Sequence, residues 1–256
     1  MEAAHRSGVL TATSLMVGAP AVQDAARRAH ALPQLHVGLH LTLADGRAVL
    51  PRREIPDLVD ADNRFHENMV SAGWRFFALA RVRAQLAAEI RAQFSAFATL
   101  GLRLDHLDAH KHFHLHPTVL SLAVRIGRDF GLPAVRVPAE PGLTVTRLLT
   151  PWLALMRARL RQAGLASNDQ IFGLAHSGAM DESRLLQILR TLPAGVTEIY
   201  LHPATESGST IAASMPDYRH RDELNALLSP AVRRALADPT IQLGSYGDIA
   251  GYRAMQ

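Results

Sequence analysis

LRLDHLDAHKHFHLHP, residues 102–117, is the stretch on which the reading of this chain turns. Its first part, residues 102–110, alternates apolar and polar residues in the pattern of a strand. Pro117 then stands where a helix can open, because a proline in the first turn gives up no intrahelical bond, and that helix is expected to run to about Phe130. Together they make a strand–turn–helix unit with its polar load at the end of the strand. Five of the chain's thirteen histidines fall inside it. His106, His110, His112, His114 and His116 all sit on even numbers, as does Asp108. Residues two apart on a strand share a face, so His106, Asp108 and His110 are expected to point together. Past His110 the chain turns, and the stripe need not continue.

The same unit recurs on both sides. VLTATSLMV (9–17) and LHVGLHLTL (35–43) read as strands, with a helix over APAVQDAARRAHAL (19–32) between them. Residues 44–66 form a long polar loop, of the kind that is usually functional or mobile. ALARVRAQLAAEIRAQFSAFATLG (78–101) reads as a helix closed by a glycine. AVRVP (134–138), QIFGLAH (170–176), TEIYLHPA (197–204) and TIQLGSY (240–246) add four strands. Helices fall around 145–163, after Asp181 and across Asp222 to Leu236. Strands alternating with helices call for an α/β chain with a parallel sheet. Seven strands predict a distorted TIM-like (β/α) barrel formed by a single domain over residues 1–256. A doubly wound open sheet is the alternative, although no GxGxxG marks a dinucleotide fold.

Composition narrows the functional classes. Of 256 residues, 48% are hydrophobic and 20% charged, an ordinary globular balance. There is no cysteine, which excludes disulfides, thiolate nucleophiles and Cys-bound zinc. No apolar run approaches the ~20 residues needed to cross a bilayer, and MEAAHRSGVL lacks the layout of a secretory signal. A cytoplasmic location is expected. The pI is near 10.1, but the net charge is only +4 and the arginines are scattered over helix faces. No basic run is interleaved with aromatics, so nucleic acid is not an expected partner. PRREIP (51–56) reads as a surface loop. Lys111, inside the histidine cluster, is the only lysine.

In a βα barrel the active site lies at the C-terminal ends of the strands. His40, His110 and His202 each close an apolar run near where a strand should stop. Imidazoles from separate strands can converge on one divalent ion, since neutral ring nitrogen is a good ligand for zinc and related metals. A lone histidine such as His36 or His66 more often serves structure. Spacing alone therefore gives a divalent-metal hydrolase or lyase and nothing narrower.

SGVLTATSLMVGAPAVQDA, VGLHLTLADGRAVLP, LDHLDAHKHFHLHP, EIYLHPA and RDELNALLS…IQLGSYGDI, in that order, resemble the YdjC/ChbG-type carbohydrate deacetylases. AHKHFHLHP is most similar to the hopanoid-biosynthesis-associated branch called HpnK. The resemblance implies a distorted βα barrel that removes the acetyl group of an N-acetylated amino sugar, with one divalent ion, zinc or magnesium, as cofactor. It maps the metal histidines to His40 and His110. The family's first strand, reading like ADDFG, is not in this sequence. MEAAHRSGVL corresponds to the middle of the first family helix; truncation, for instance a start placed too far downstream, is the favoured account, and a true variant with Asp108 or an acid from another loop taking over is the alternative. Asp108 is then the expected catalytic carboxylate, and His202 the expected proton donor to the departing amine or partner of the oxyanion. Lys111, His112 and His114 are expected to contact substrate.

The HpnK likeness implies a glucosaminyl hopanoid glycolipid as substrate, and with it a place at the inner-membrane surface. FHENMVSAGWRFFALA (65–80) could supply a peripheral membrane contact through Trp74, Phe76 and Phe77, although core packing is the favoured role for that segment. A homodimer is a further expectation. The rival readings are a non-catalytic metal- or sugar-binding protein, made so by the missing aspartates, and another metal hydrolase on the same barrel.

Overall fold

Alternating strands and helices are found in the computed structural model of the chain, which describes residues 1–206 and 215–249. The strands are β1 (Ala12–Leu15), β2 (His36–Leu41), β3 (Leu104–Ala109), β4 (Gln170–Phe172) and β5 (Thr197–Ile199). They make one sheet in the order β1-β2-β3 and another of β4 and β5. β2 runs parallel to β3, and β4 parallel to β5. The result is a mixed α/β fold with parallel pairing, in place of the expected seven-stranded barrel. Among the described residues the strands do not close.

Two of the seven expected strands are absent, each for a local reason. In AVRVP only Ala134 and Val135 make isolated bridges, that of Val135 to Leu107. The next pairing site is occupied by a side chain. Asn168 Oδ1 accepts from the Val137 N–H at 2.7 Å, and Asn168 Nδ2 donates to the Val137 carbonyl at 2.9 Å. A buried backbone must satisfy its polar groups, and here an amide does what a neighbouring strand would have done. In TIQLGSY the N–H groups of Thr240 and Ser245 go to the carboxylates of Asp238 and Asp248, at 2.9 and 2.8 Å. Short acidic side chains competing for backbone in this way favour turns over ladders.

The chain divides into two compact units, one of Ser14–Val135 and one of Met1–Thr13 with Arg136–Gln256. In the first, the Ala80–Thr99 helix packs on the Pro117–Arg128 helix and on β2. Leu39, Leu41, Leu86, Ile90, Phe94, Phe97, Leu107 and Leu120 fill its core. Two polar residues on the inner face of that long helix hold the polypeptide beyond β2. Glu89 accepts from the Val49 and Leu50 N–H groups, each at 2.9 Å, and Gln93 brackets Thr42 through its N–H and carbonyl. The long loop is thus stapled at its start. Burial pushes the Glu89 carboxyl above its ordinary range, opposed by those backbone donors.

In the second unit, the Thr150–Gln162 helix buries Leu153, Met156 and Leu160. The Glu182–Leu189, His220–Leu228 and Pro230–Leu236 helices pack on one another, with Leu185, Leu189, Ala226 and Val232 between them. Among the described residues, no helix is long and apolar enough to cross a membrane.

Candidate active site

The pairing of β2 with β3 builds the site. Val37 lies opposite Leu104, but Leu39 lies opposite Leu107, so the register shifts by one residue between them. Beyond the shift His40 is paired with Asp108 and Leu41 with Ala109. Partners in a parallel pair project to the same side of the sheet, and His40 Nδ1 lies 2.9 Å from Asp108 Oδ1. A carboxylate accepts, so Nδ1 carries the hydrogen and the lone pair of His40 is on Nε2. Asp108 itself is almost wholly buried, at 1% exposure.

His110, the first residue after β3, stands edge-on to His40 with ring centres 5.7 Å apart and planes at 72°. Burial first, then the neighbouring His40 and Lys111, push its pKa down to about 4, against the pull of Asp45 and Asp108. It is therefore a neutral base at physiological pH. Imidazoles from neighbouring strands placed this close are candidates to share one divalent ion through ring nitrogen. The carboxylate behind His40 fixes that ring's tautomer, as such partners do for metal-binding histidines. The pair fits two positions around an ion. Among the described residues no group of three or more His, Asp or Glu side chains is placed to hold a metal.

His106, expected to point with Asp108 and His110, is held inside the sheet. Its Nδ1 donates to Asp105 at 2.8 Å, its Nε2 takes a hydrogen bond from Ser14 Oγ at 3.0 Å, and it is 2% exposed. His36 lies 3.4 Å from the other oxygen of Asp105. The ring of His106 lies across β2 at Gly38, where a Cβ would come within 2.5 Å of it. This is a structural clamp across the sheet.

The segment after His110 turns sharply. Lys111 and His112 both take left-handed backbone, with φ 52° and 54°. Lys111 Nζ lies 3.1 Å from Asp45 Oδ2, so the expected substrate-contacting amine is engaged with a carboxylate that the sequence reading passed over. Asp45 is itself left-handed at φ 49°, with its side chain 7% exposed. His112 is half-buried and its ring lies 6.2 Å from that of His114. His114, expected to contact substrate, is fully buried inside the unit. His116 packs on Phe76 and Phe113, and burial pushes its pKa below the ordinary range.

The Met69–Ala78 helix lies over this segment by its inner face, with Phe76 5.4 Å from the Phe113 ring and Gly73 against His116. Phe76 is buried, as core packing requires, but Val70, Trp74 and Phe77 are 85%, 65% and 65% exposed.

His202 belongs to the other unit. Its N–H is held by Glu223, its carbonyl meets Nδ1 of buried His220, and its ring lies 5.3 Å from Tyr200 and 5.1 Å from Tyr218.

Comparison with known proteins gives this arrangement a setting. The profile described as YdjC-like protein matches residues 1–238. The chain belongs to the YdjC-like family. A carbohydrate deacetylase of Brevibacillus brevis is 27% identical to it, over 96% of this chain and 91% of the relative. A chitooligosaccharide deacetylase of Proteus mirabilis is 26% identical, over 96% and 90%. Among solved structures, a crystal structure from Enterococcus faecalis described as a candidate cellobiose-phosphate cleavage protein aligns with a TM-score of 0.76 and 26% identity. That alignment covers 97% of this YdjC-like chain and 91% of the other.

Proposed function

We propose that this YdjC-like chain is a metal-dependent hydrolase that removes the N-acetyl group of an amino sugar. The observation that carries the reading is the His40–His110 pair, backed by Asp108 and found in a chain whose relatives are named carbohydrate deacetylases. In it His40 and His110 hold one divalent ion, zinc or magnesium. When bound, such an ion polarises a carbonyl and lowers the pKa of water. The chain's own contribution is to keep the His110 imidazole neutral, so that its lone pair is available without a proton having to leave. Asp108 is assigned the task of holding the His40 ring. To act as the general base expected of it, it would have to give up that bond, so its role is revised from base to orienting partner. The departing amine also needs a proton donor, a task suited to imidazole near neutral pH.

A glucosaminyl hopanoid glycolipid that still carries its N-acetyl group is the proposed substrate. The exposed Val70, Trp74 and Phe77 support it, since an interfacial helix presents Trp, Phe and aliphatic residues outward and this one packs inward on the segment that follows His110.

The test is acetate release from chito-oligosaccharides and from the glycolipid, with Zn²⁺, Mg²⁺ or Mn²⁺ supplied. Release that disappears in His110→Ala supports the hydrolase, and a higher kcat/KM on the glycolipid supports the lipid substrate. No release from either substrate with any of the three metals refutes the proposal. The lack of a three-residue ligand group among the described residues favours, as a second reading, a protein that binds metal or sugar without turnover. Calorimetry showing metal uptake with no acetate would select it.

A further inference from the structure

The chain carries 27 basic residues, of which only Lys111 is a lysine. It sits where an L-residue is least comfortable. Lys111 and His112 are consecutive left-handed residues, neither a glycine, directly after His110. Each such residue is disfavoured by the contact of Cβ with the following carbonyl, and persists only where its surroundings over-determine it. Here the surroundings are identifiable. Lys111 Nζ reaches Asp45 Oδ2 at 3.1 Å, Phe113 is buried, and His112 meets the fully buried His114. Asp45 is held in turn on the loop that Glu89 and Gln93 fasten to the long helix. The ion pair therefore joins two exits, the polypeptide leaving β2 just after His40 and the polypeptide leaving β3 at His110.

We propose that Lys111 and Asp45 are a positioning pair, which locks the left-handed turn so that the His110 ring faces His40. The inference rests on the reading that these two imidazoles act together, and it replaces substrate contact as the task of Lys111. The chemistry suits lysine. A compact ammonium on a flexible stem can reach Asp45 from a left-handed backbone, whereas the broad planar guanidinium used everywhere else in this chain demands a fixed fork geometry.

Strain and positioning can be separated by experiment, because glycine accepts positive φ freely. Lys111→Gly removes the ion pair while relieving the turn. If Lys111 only completed the fold, this variant would melt lower than the parent and keep the parent's kcat and imidazole signals. The positioning role predicts instead a melting temperature no lower than the parent's, a kcat for deacetylation reduced at least tenfold with KM little changed, and shifted imidazole NMR signals of both His40 and His110. Asp45→Asn should give the same signal shifts and a similar loss of kcat. The exchange of the two charges, Lys111→Asp with Asp45→Lys, should restore much of both. Unchanged imidazole signals and unchanged kcat in Lys111→Gly and Asp45→Asn would overturn the proposal, as would failure of the exchange to restore either. If the parent releases no acetate from any substrate but its imidazole signals follow the variants as stated, the positioning pair stands and the deacetylase reading fails.

Discussion

Acidification is the perturbation that bears most directly on the site. His110 has a pKa of about 4 in the fold against an ordinary 6.5. Above pH 6.5 the ring is neutral in both folded and unfolded chains and contributes no pH dependence. Below it the unfolded chain takes up a proton that the folded one refuses, so stability falls as pH falls, until the folded ring also titrates near 4. At about 1.36 kcal/mol per pH unit, the loss reaches about 2 kcal/mol at pH 5 and about 3 kcal/mol at pH 4, as upper bounds because the ring keeps some contact with water. Other groups titrate in the same range. His116 is lowered and adds to the slope, whereas Glu89 and Glu223 are raised by burial and oppose it. The informative quantity is therefore a difference. Urea unfolding of chelator-treated parent and His110→Gln, followed by circular dichroism from pH 7 to pH 4, should show the parent losing about 3 kcal/mol more than the variant. Parallel pH profiles would mean that His110 is not held neutral by its surroundings, and the case for it as a ready metal ligand would fall with that.

Asp108→Asn keeps the shape of the side chain but removes the charge behind His40. Loss of such a partner should weaken metal affinity and activity by about 10- to 100-fold with the fold intact, as read by calorimetry with Zn²⁺ and by acetate release. Asn168→Ala strands both polar groups of Val137 in the interior, which should cost on the order of 2 kcal/mol in urea unfolding. Trp74→Ser with Phe77→Ser alters only exposed positions, so stability should move by about 0.5 kcal/mol at most per site, while partition onto anionic vesicles in a sedimentation assay falls.

Much of the site could be read in the sequence, because its ingredients lie on apolar runs that could only be strands. VGLHL and LDHLDAH sit where the structure has β2 and β3, and alternation put Asp108 and His110 among the candidates. What escaped was set by partners far away in the chain. AVRVP looks as much like a strand as VGLHL does, and nothing local announces that Asn168, some thirty residues on, takes its backbone bonds. Asp45 lies in a polar loop, and the sequence points its neighbour Lys111 toward substrate. The clue that could have joined them was compositional, a lone lysine in a chain that otherwise uses arginine. His114 and His106 look like His110 in sequence but are buried for packing and cross-strand bonding, a distinction that spacing alone does not carry.

The decisive detail is the one-residue shift between β2 and β3. Had the pairing of Val37 with Leu104 continued evenly, His40 would lie opposite Leu107, and Asp108 would project from the other side of the sheet. The extra residue on β3 brings Asp108 level with His40. Gly38 stands at that shift, opposite the point where the His106 ring crosses the strand. Glycine inside a strand often marks such a bulge or close approach. The clamp of His106, Ser14 and Asp105 is then what holds the irregular pairing in place. Gly38→Ala tests the chain of reasoning at its source, because the new methyl group would meet the ring at 2.5 Å. Overpacking of this kind costs about 1–3 kcal/mol. If the shift is what makes the site, the loss of stability should come with a broken His40–Asp108 bond, visible as a changed His40 imidazole signal and reduced metal affinity. A Gly38→Ala protein that is destabilised yet keeps that signal would show that the register does not depend on the clamp.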